Sequence, residues 1–376
     1  MSDYSERIAR LQTLLRRQEV FGAILAGTDQ MQYLTGWREG GHERFVGLFI
    51  PQEGAPAFVV PSMNASQARK TPAEIKDVFG WEDSEGWTNT VQELMAGWSM
   101  QAQVRGERPG THILVDDELL SVHLLKLQSL FGELKFEPIG ETMRVLREVK
   151  TDTELRSMQI AADLIDDVYS TSLKFLSEGV TEAEFAAHIL SEIGKRGSTP
   201  SFSPLICFGP NAALPHHHTG AAKLKKGDIV IIDIGCTSDG YASDITRTVS
   251  FGEPSDPDAR KIYEIVYEAH HAAIFAARPG FTGEAIDSAA RTVISEAGYG
   301  ENFIHRLGHG IGLSCHEPPS MVKGNLDPVK QGMCFSVEPG IYLEGRFGVR
   351  LENIVTVTEQ GVRSLNAVIS PTLKIV

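Results

Sequence analysis

Two aspartates interrupt the most strand-like part of this chain. The stretch "GDIVIIDIGCTSDGYASDITRTV", residues 227–249, reads as strand, turn, strand. "IVIIDIG" is β-branched, "SDG" supplies the turn and "YASDITRTV" returns. Asp233 and Asp244 stand eleven residues apart, with their midpoint between Ser238 and Asp239. A hairpin centred there brings the two carboxylates close to opposite each other. A carboxylate inside an apolar strand is strongly unfavourable unless something positive meets it.

Two more acids repeat the pattern. Glu338 in "CFSVEPGIY" and Glu352 in "GVRLENIVTV" each break a strand-like run. Four carboxylates brought together raise one another's pKa values and repel, and two divalent cations remove that conflict. The glycine-rich stretch "HRLGHGIGLSCHEPP", His305 to Pro319, then gains a purpose, because His309 can add a nitrogen to the oxygen shell. A mostly oxygen set suits Mn²⁺ or Co²⁺ ahead of Zn²⁺.

The rest of the chain sets limits. Its 376 residues, 42% hydrophobic, suffice for two domains and a core able to hold a rigid site. A formal charge of −14 argues against a nucleic-acid partner. The four cysteines form no CxxC pair and read as thiols of a reducing compartment. The N-terminus is amphipathic without a continuous apolar stretch, and no run approaches the roughly 18 residues that span a bilayer. A cytoplasmic protein with no membrane partner is expected.

Short strands alternate with helical segments over the first ~140 residues, an α/β pattern. Domains are expected at residues 1–142 and 143–376. "KTDTE" offers Thr151 or Asp152 as a helix cap, and "TEAEF" begins with a capping box. Trp81, Trp87 and Trp98 cluster in a segment that reads as core, with an association surface as the alternative.

The order Asp233, Asp244, His309, Glu338, Glu352, with the motifs "DIGCTSDGYASDITRT", "GHGIGLSCHEPP", "VEPGIY" and "GVRLEN", resembles the pita-bread metallopeptidase family, which includes methionine aminopeptidase, aminopeptidase P and prolidase. The resemblance covers about residue 150 to the C-terminus and extends more weakly over residues 1–140. It implies an α+β fold, a C-terminal pita-bread (creatinase/aminopeptidase) catalytic domain with a smaller N-terminal α/β domain. It also implies a dinuclear centre, with Asp233 on one metal, Asp244 and Glu352 bridging, and His309 and Glu338 on the other.

Position by position, His216 matches the family's substrate-side histidine, and His305 and His316 its two further active-site histidines. Arg350 matches an arginine that orients the ligand carboxylates, and strand alternation points it the same way as Glu352. His217 and His218 match nothing and read as exposed loop histidines. The implied reaction is peptide hydrolysis by a hydroxide bridging two divalent metals, with Glu338 moving the proton and His316 stabilising the oxyanion.

The N-terminal domain points to the Xaa-Pro branch, hence a small peptide with proline at its second position and a free amino terminus. The short linker between Glu338 and Glu352 favours a dipeptidase (prolidase) over an aminopeptidase P acting on longer peptides. Arg44, in the loop "GWREGGHERF", is the candidate to close over a dipeptide's carboxylate. A homodimer is expected, as in relatives. A creatinase-like hydrolase working without metal, or an inactive peptide-binding module, would be missing ligands, and none is missing here.

Overall fold

The computed structural model describes residues 3–105 and 110–376. Two compact units make up the chain, Met1–Arg147 and Glu148–Val376. The helix Gly140–Arg147 belongs to the first unit.

The first unit is a six-stranded mixed sheet with helices α1 (Asp3–Arg17), α2 (Thr28–Thr35), α3 (Ala65–Ala68), α4 (Thr88–Val104), α5 (Ser121–Leu130) and α6 (Gly140–Arg147). Its strands are β1 (Gly22–Leu25), β2 (Gly47–Pro51), β3 (Ala57–Pro61), β4 (Asp77–Trp81), β5 (His112–Val115) and β6 (Lys135–Pro138). They lie in the order β4-β3-β2-β1-β5-β6, parallel except where β2 meets β1 and β3. The amphipathic spacing of α1 buries Ile8, Leu11 and Leu15. Trp81, Trp87 and Trp98 are all buried in this unit's core, where Trp87 stacks on Phe45 at 4.2 Å.

The second unit carries helices α7 (Asp152–Ser172), α8 (Glu182–Lys195), α9 (Ala259–Ala276) and α10 (Gly283–Glu296). Thr151 and Thr181 cap α7 and α8 in reciprocal capping boxes with Glu154 and Glu184. One sheet joins β7 (Leu205–Phe208), β8 (Ile229–Ile234), β11 (Ile245–Ser250) and β19 (Lys374–Ile375), with a short ribbon, β9 (Thr237–Ser238) and β10 (Tyr241–Ala242), at its turn. A second joins β12 (Gly308–Gly310), β13 (Glu317–Met321), β14 (Cys334–Val337), β17 (Asn353–Val357) and β18 (Val362–Ser364). The hairpin β15 (Gly340–Leu343) and β16 (Phe347–Arg350) connects β14 to β17. Apolar side chains of α9 and α10 pack with those of β14, β16 and β17 in one core cluster, and those of α7 and α8 pack with β7, β8 and β11 in another.

The hairpin turn falls at Asp239 and Gly240, both at positive φ. The register therefore sets Asp233 opposite Thr246, with Asp244 one residue before β11 begins. Because side chains alternate, Asp244 and Thr246 share the face that Asp233 occupies. Among the described residues, no helix is long and apolar enough to cross a membrane.

Candidate metal centre and active site

All five expected ligands converge on one cavity of about 500 Å³. Asp233 is the next-to-last residue of β8, Asp244 precedes β11, His309 lies on β12, Glu338 follows β14, and Glu352 stands between β16 and β17. Backbone bonds fix the meeting. Glu352 N donates to Thr246 O at 3.1 Å, and Glu338 N to Leu307 O at 2.9 Å. Asp244, His309 and Glu352 are buried, and each can offer one ligand atom within 4.8 Å of the others. His309 Nε2 lies 3.3 Å from Glu338 Oε1 and 3.9 Å from Asp244 Oδ2.

The electrostatics expose the conflict these acids create. Burial first, then neighbouring carboxylates, pushes Asp244 and Glu352 well above the usual range. Burial also raises Asp233, against the pull of Arg350, and takes Glu338 up to about 7. Asp233 Oδ1, Asp244 Oδ1 and Glu352 Oε1 are buried without a hydrogen-bond partner. Burial lowers His309 to about 3, so it stays neutral. Its Nδ1 faces Gly310 O at 3.1 Å and must carry the proton, which leaves the Nε2 lone pair free.

A polar chain runs outward from Asp233. Arg350 Nη2 donates to Asp233 Oδ2 at 2.6 Å, Nη1 to Tyr342 Oη at 3.0 Å and Nε to Thr246 Oγ1 at 3.1 Å. Tyr342 Oη is 2.9 Å from His305 Nε2, and His305 Nδ1 is 2.7 Å from Arg306 O. The carbonyl requires the proton on Nδ1, so Tyr342 donates to Nε2. Thr246 Oγ1 donates to Glu352 Oε2 at 2.7 Å. His216 and His316 are exposed on the cavity wall, and the His316 ring stands 4.1 Å from that of His309. Phe202, Leu205 and Cys315 add less polar wall.

Several residues here carry no role in the sequence reading. Thr246 and Arg247 lie inside "SDITRT", Tyr342 closes "VEPGIY", and Arg306 follows His305. Arg247 Nη1 holds the backbone carbonyl of Glu352 at 2.5 Å. Arg306 lines the cavity and donates to Ser320 Oγ at 3.2 Å. Arg44 lies in the first unit, where Asp83 takes its guanidinium through two 3.0 Å contacts and Glu43 through one of 2.9 Å. His217 is not a solvated loop histidine. Its Nε2 lies 2.8 Å from the buried carboxylate of Glu182, a partner distant in sequence and invisible from the "PHHH" run.

The profile of metallopeptidase family M24 matches residues 156–359, and that of the creatinase/prolidase N-terminal domain matches residues 7–149. The chain belongs to family M24. It is 38% identical over 368 residues to a probable dipeptidase PepE of Mycobacterium bovis, covering 96% of this chain and 94% of that one. It is likewise 38% identical to an Xaa-Pro dipeptidase of Lactobacillus helveticus, covering 91% of each. The solved prolidase of Thermococcus sibiricus superposes with a TM-score of 0.92 at 35% identity, over 100% of both chains. M24 enzymes are metallopeptidases, and this M24 site fits divalent metal. Its orphaned buried oxygens and neutral imidazole form an acceptor-only set that lacks only positive charge.

Proposed function

We propose that the chain is a metal-dependent Xaa-Pro dipeptidase. The observation that carries this reading is the convergence of Asp233, Asp244, His309, Glu338 and Glu352 on one cavity, three of the four carboxylates with an unsatisfied buried oxygen. The dipeptidase and prolidase relatives named above support the substrate class.

The five residues would hold two divalent ions, Mn²⁺ or Co²⁺ ahead of Zn²⁺. When bound, such ions acidify water and polarise a peptide carbonyl. The chain supplies the rest. Glu338, on the cavity wall, would take a proton from the attacking water and pass it to the departing proline nitrogen. His316 is the donor for charge developing on the carbonyl oxygen. His216 and His305 shape the pocket around proline, and the Arg306 carbonyl keeps His305 in one tautomer. The acidic end of the cavity receives the substrate's free amino group.

A dipeptide also brings a carboxylate close to the reacting bond. Arg306 is the cation on the cavity wall, since Arg350 is buried and committed to Asp233. Arg44 is the second candidate for that contact. An aminopeptidase P would not need such a cation. Turnover of Ala-Pro against Ala-Pro-Ala, with Mn²⁺, Co²⁺ or Zn²⁺ added, tests reaction, length preference and metal together. Equal turnover of both peptides favours aminopeptidase P, and turnover of neither removes the reading. A homodimer in the cytoplasm completes the proposal. The four unpaired thiols are consistent with a reducing compartment, and sedimentation checks the dimer.

A further inference from the structure

One buried carboxylate gathers the loop that carries His216. Glu182 opens α8 and is 0% exposed. Its Oε1 accepts from Phe208 N at 2.9 Å and Asn211 Nδ2 at 2.8 Å. Its Oε2 accepts from His217 Nε2 at 2.8 Å and Gly220 N at 3.0 Å. The backbone answers in the opposite sense, with Glu182 N donating to Ala222 O at 3.0 Å and Ala183 N to Gly220 O at 2.9 Å.

A carboxylate offers acceptors only, so His217 carries its proton on Nε2 and donates it. A charge this deeply buried is tolerable only when fully hydrogen-bonded, and all four of its donors come from residues 208–220. Breaking one contact therefore loosens the loop and leaves the carboxylate short of a partner. The same loop reaches the cavity. Pro215 and His216 line it, directly before the anchored His217.

We propose that Glu182 and His217 are positioning residues. Together they latch loop 208–220 so that His216 stands in the substrate cavity, and they act on turnover through His216. The proposal rests on the dipeptidase reading of that cavity. Neither residue is an expected metal ligand, so their loss should leave the metal centre intact.

The test measures kcat and KM for Ala-Pro, Mn²⁺ affinity, and amide hydrogen exchange across residues 204–221 in the full chain. His217→Leu is expected to lower kcat/KM roughly 10- to 100-fold, with Mn²⁺ affinity unchanged within about twofold and faster exchange in the loop. His217→Gln, which retains an N–H donor, should recover most of the loss. Added to His216→Ala, His217→Leu should do little more, because one path has already been cut. Independent, multiplicative losses in the double variant would overturn the latch, as would parallel loss of Mn²⁺ affinity or unchanged exchange. Should His217→Leu fail to fold, Glu182→Gln serves for the same comparison. It keeps acceptors for Phe208 and Asn211 but sets an amide N–H against Gly220 N–H. A wild-type protein inert toward Ala-Pro strikes the dipeptidase reading instead, while loop exchange in the variants still decides the latch.

Discussion

Arg350 Nη2 lies 2.6 Å from Asp233 Oδ2, which ties β16 to the end of β8 inside the cavity. The same guanidinium reaches Tyr342 and Thr246, and Thr246 in turn holds Glu352. Three partners in three directions use the planar fork of arginine, which a lysine ammonium cannot reproduce. Arg350→Lys should therefore weaken Mn²⁺ binding about 10- to 100-fold. Calorimetric titration of Mn²⁺ into the two proteins measures this, and wild-type affinity in the lysine variant would show the fork to be dispensable.

The acid cluster predicts how metal removal depends on pH. Asp244 and Glu352 have folded pKa values well above their unfolded values, which are about 4. The metal-free folded state thus holds protons that the unfolded state releases. Its stability from these groups is present below about pH 4 and is lost as pH rises toward the folded values. Cations relieve the repulsion, so the melting-temperature gap between Mn²⁺-loaded and chelated protein should widen from pH 5 to pH 8. Asp244→Asn should melt higher than wild type when both are chelated. Scanning calorimetry at several pH values checks both, and a pH-independent gap would count against cluster repulsion.

His270 gives the opposite slope. It is buried in α9 with neither ring nitrogen hydrogen-bonded, and burial, then Arg247 and His271, lowers it to about 3. Above pH 6.5 both states are neutral and nothing changes. Below it the unfolded chain takes a proton that the folded one refuses, so stability falls by roughly 1.4 kcal/mol per pH unit until about pH 3. His270→Phe should flatten that part of the acid limb in urea unfolding between pH 6.5 and 4. An unaltered limb would mean that the imidazole finds a proton partner on acidification.

Lys150 and Glu317 form a 2.6 Å ion pair with side chains 2% and 7% exposed, one residue from His316. Removing one partner takes from the other this buried, oppositely charged contact. Lys150→Met or Glu317→Gln should each cost about 3–5 kcal/mol, and the double variant less than their sum. Denaturant titration of the three variants supplies the cycle. Additive losses would mean the charges do not interact.

Arg306 and Arg44 differ in setting, one on the cavity wall and one paired with Asp83 and Glu43. If either meets a dipeptide's carboxylate, its alanine variant should lose about 10-fold or more on Ala-Pro while Ala-Pro-Ala changes little. Parallel losses on both peptides would place that arginine outside carboxylate recognition.

Much of this site is legible along the chain because strands alternate. An acid that breaks a β-branched run is conspicuous, and Asp233, Glu338 and Glu352 stand out on that ground. The turn expected in "SDG" falls at its Asp239 and Gly240, both at positive φ, and the exact register, Asp233 opposite Thr246 with Asp244 two residues away, comes from the structure. Tyr342, Thr246 and Arg306 sit inside recognisable motifs, yet nothing in their spacing marks them as hydrogen-bonded to Arg350, Glu352 and Ser320. Glu182 looks like an ordinary first-turn helix acid, a favourable place for one on any surface helix.

By itself, the sequence singled out the candidate ligand acids and the strand-like runs that carry them, because charge inside an apolar, alternating run is a one-dimensional signal. Tertiary structure alone decided which oxygens are left unsatisfied, which imidazole nitrogen is free and which cation faces the cavity. Those depend on burial and on partners such as Glu182 with His217, or Asp233 with Arg350, distant in the chain and joined only when separate elements pack.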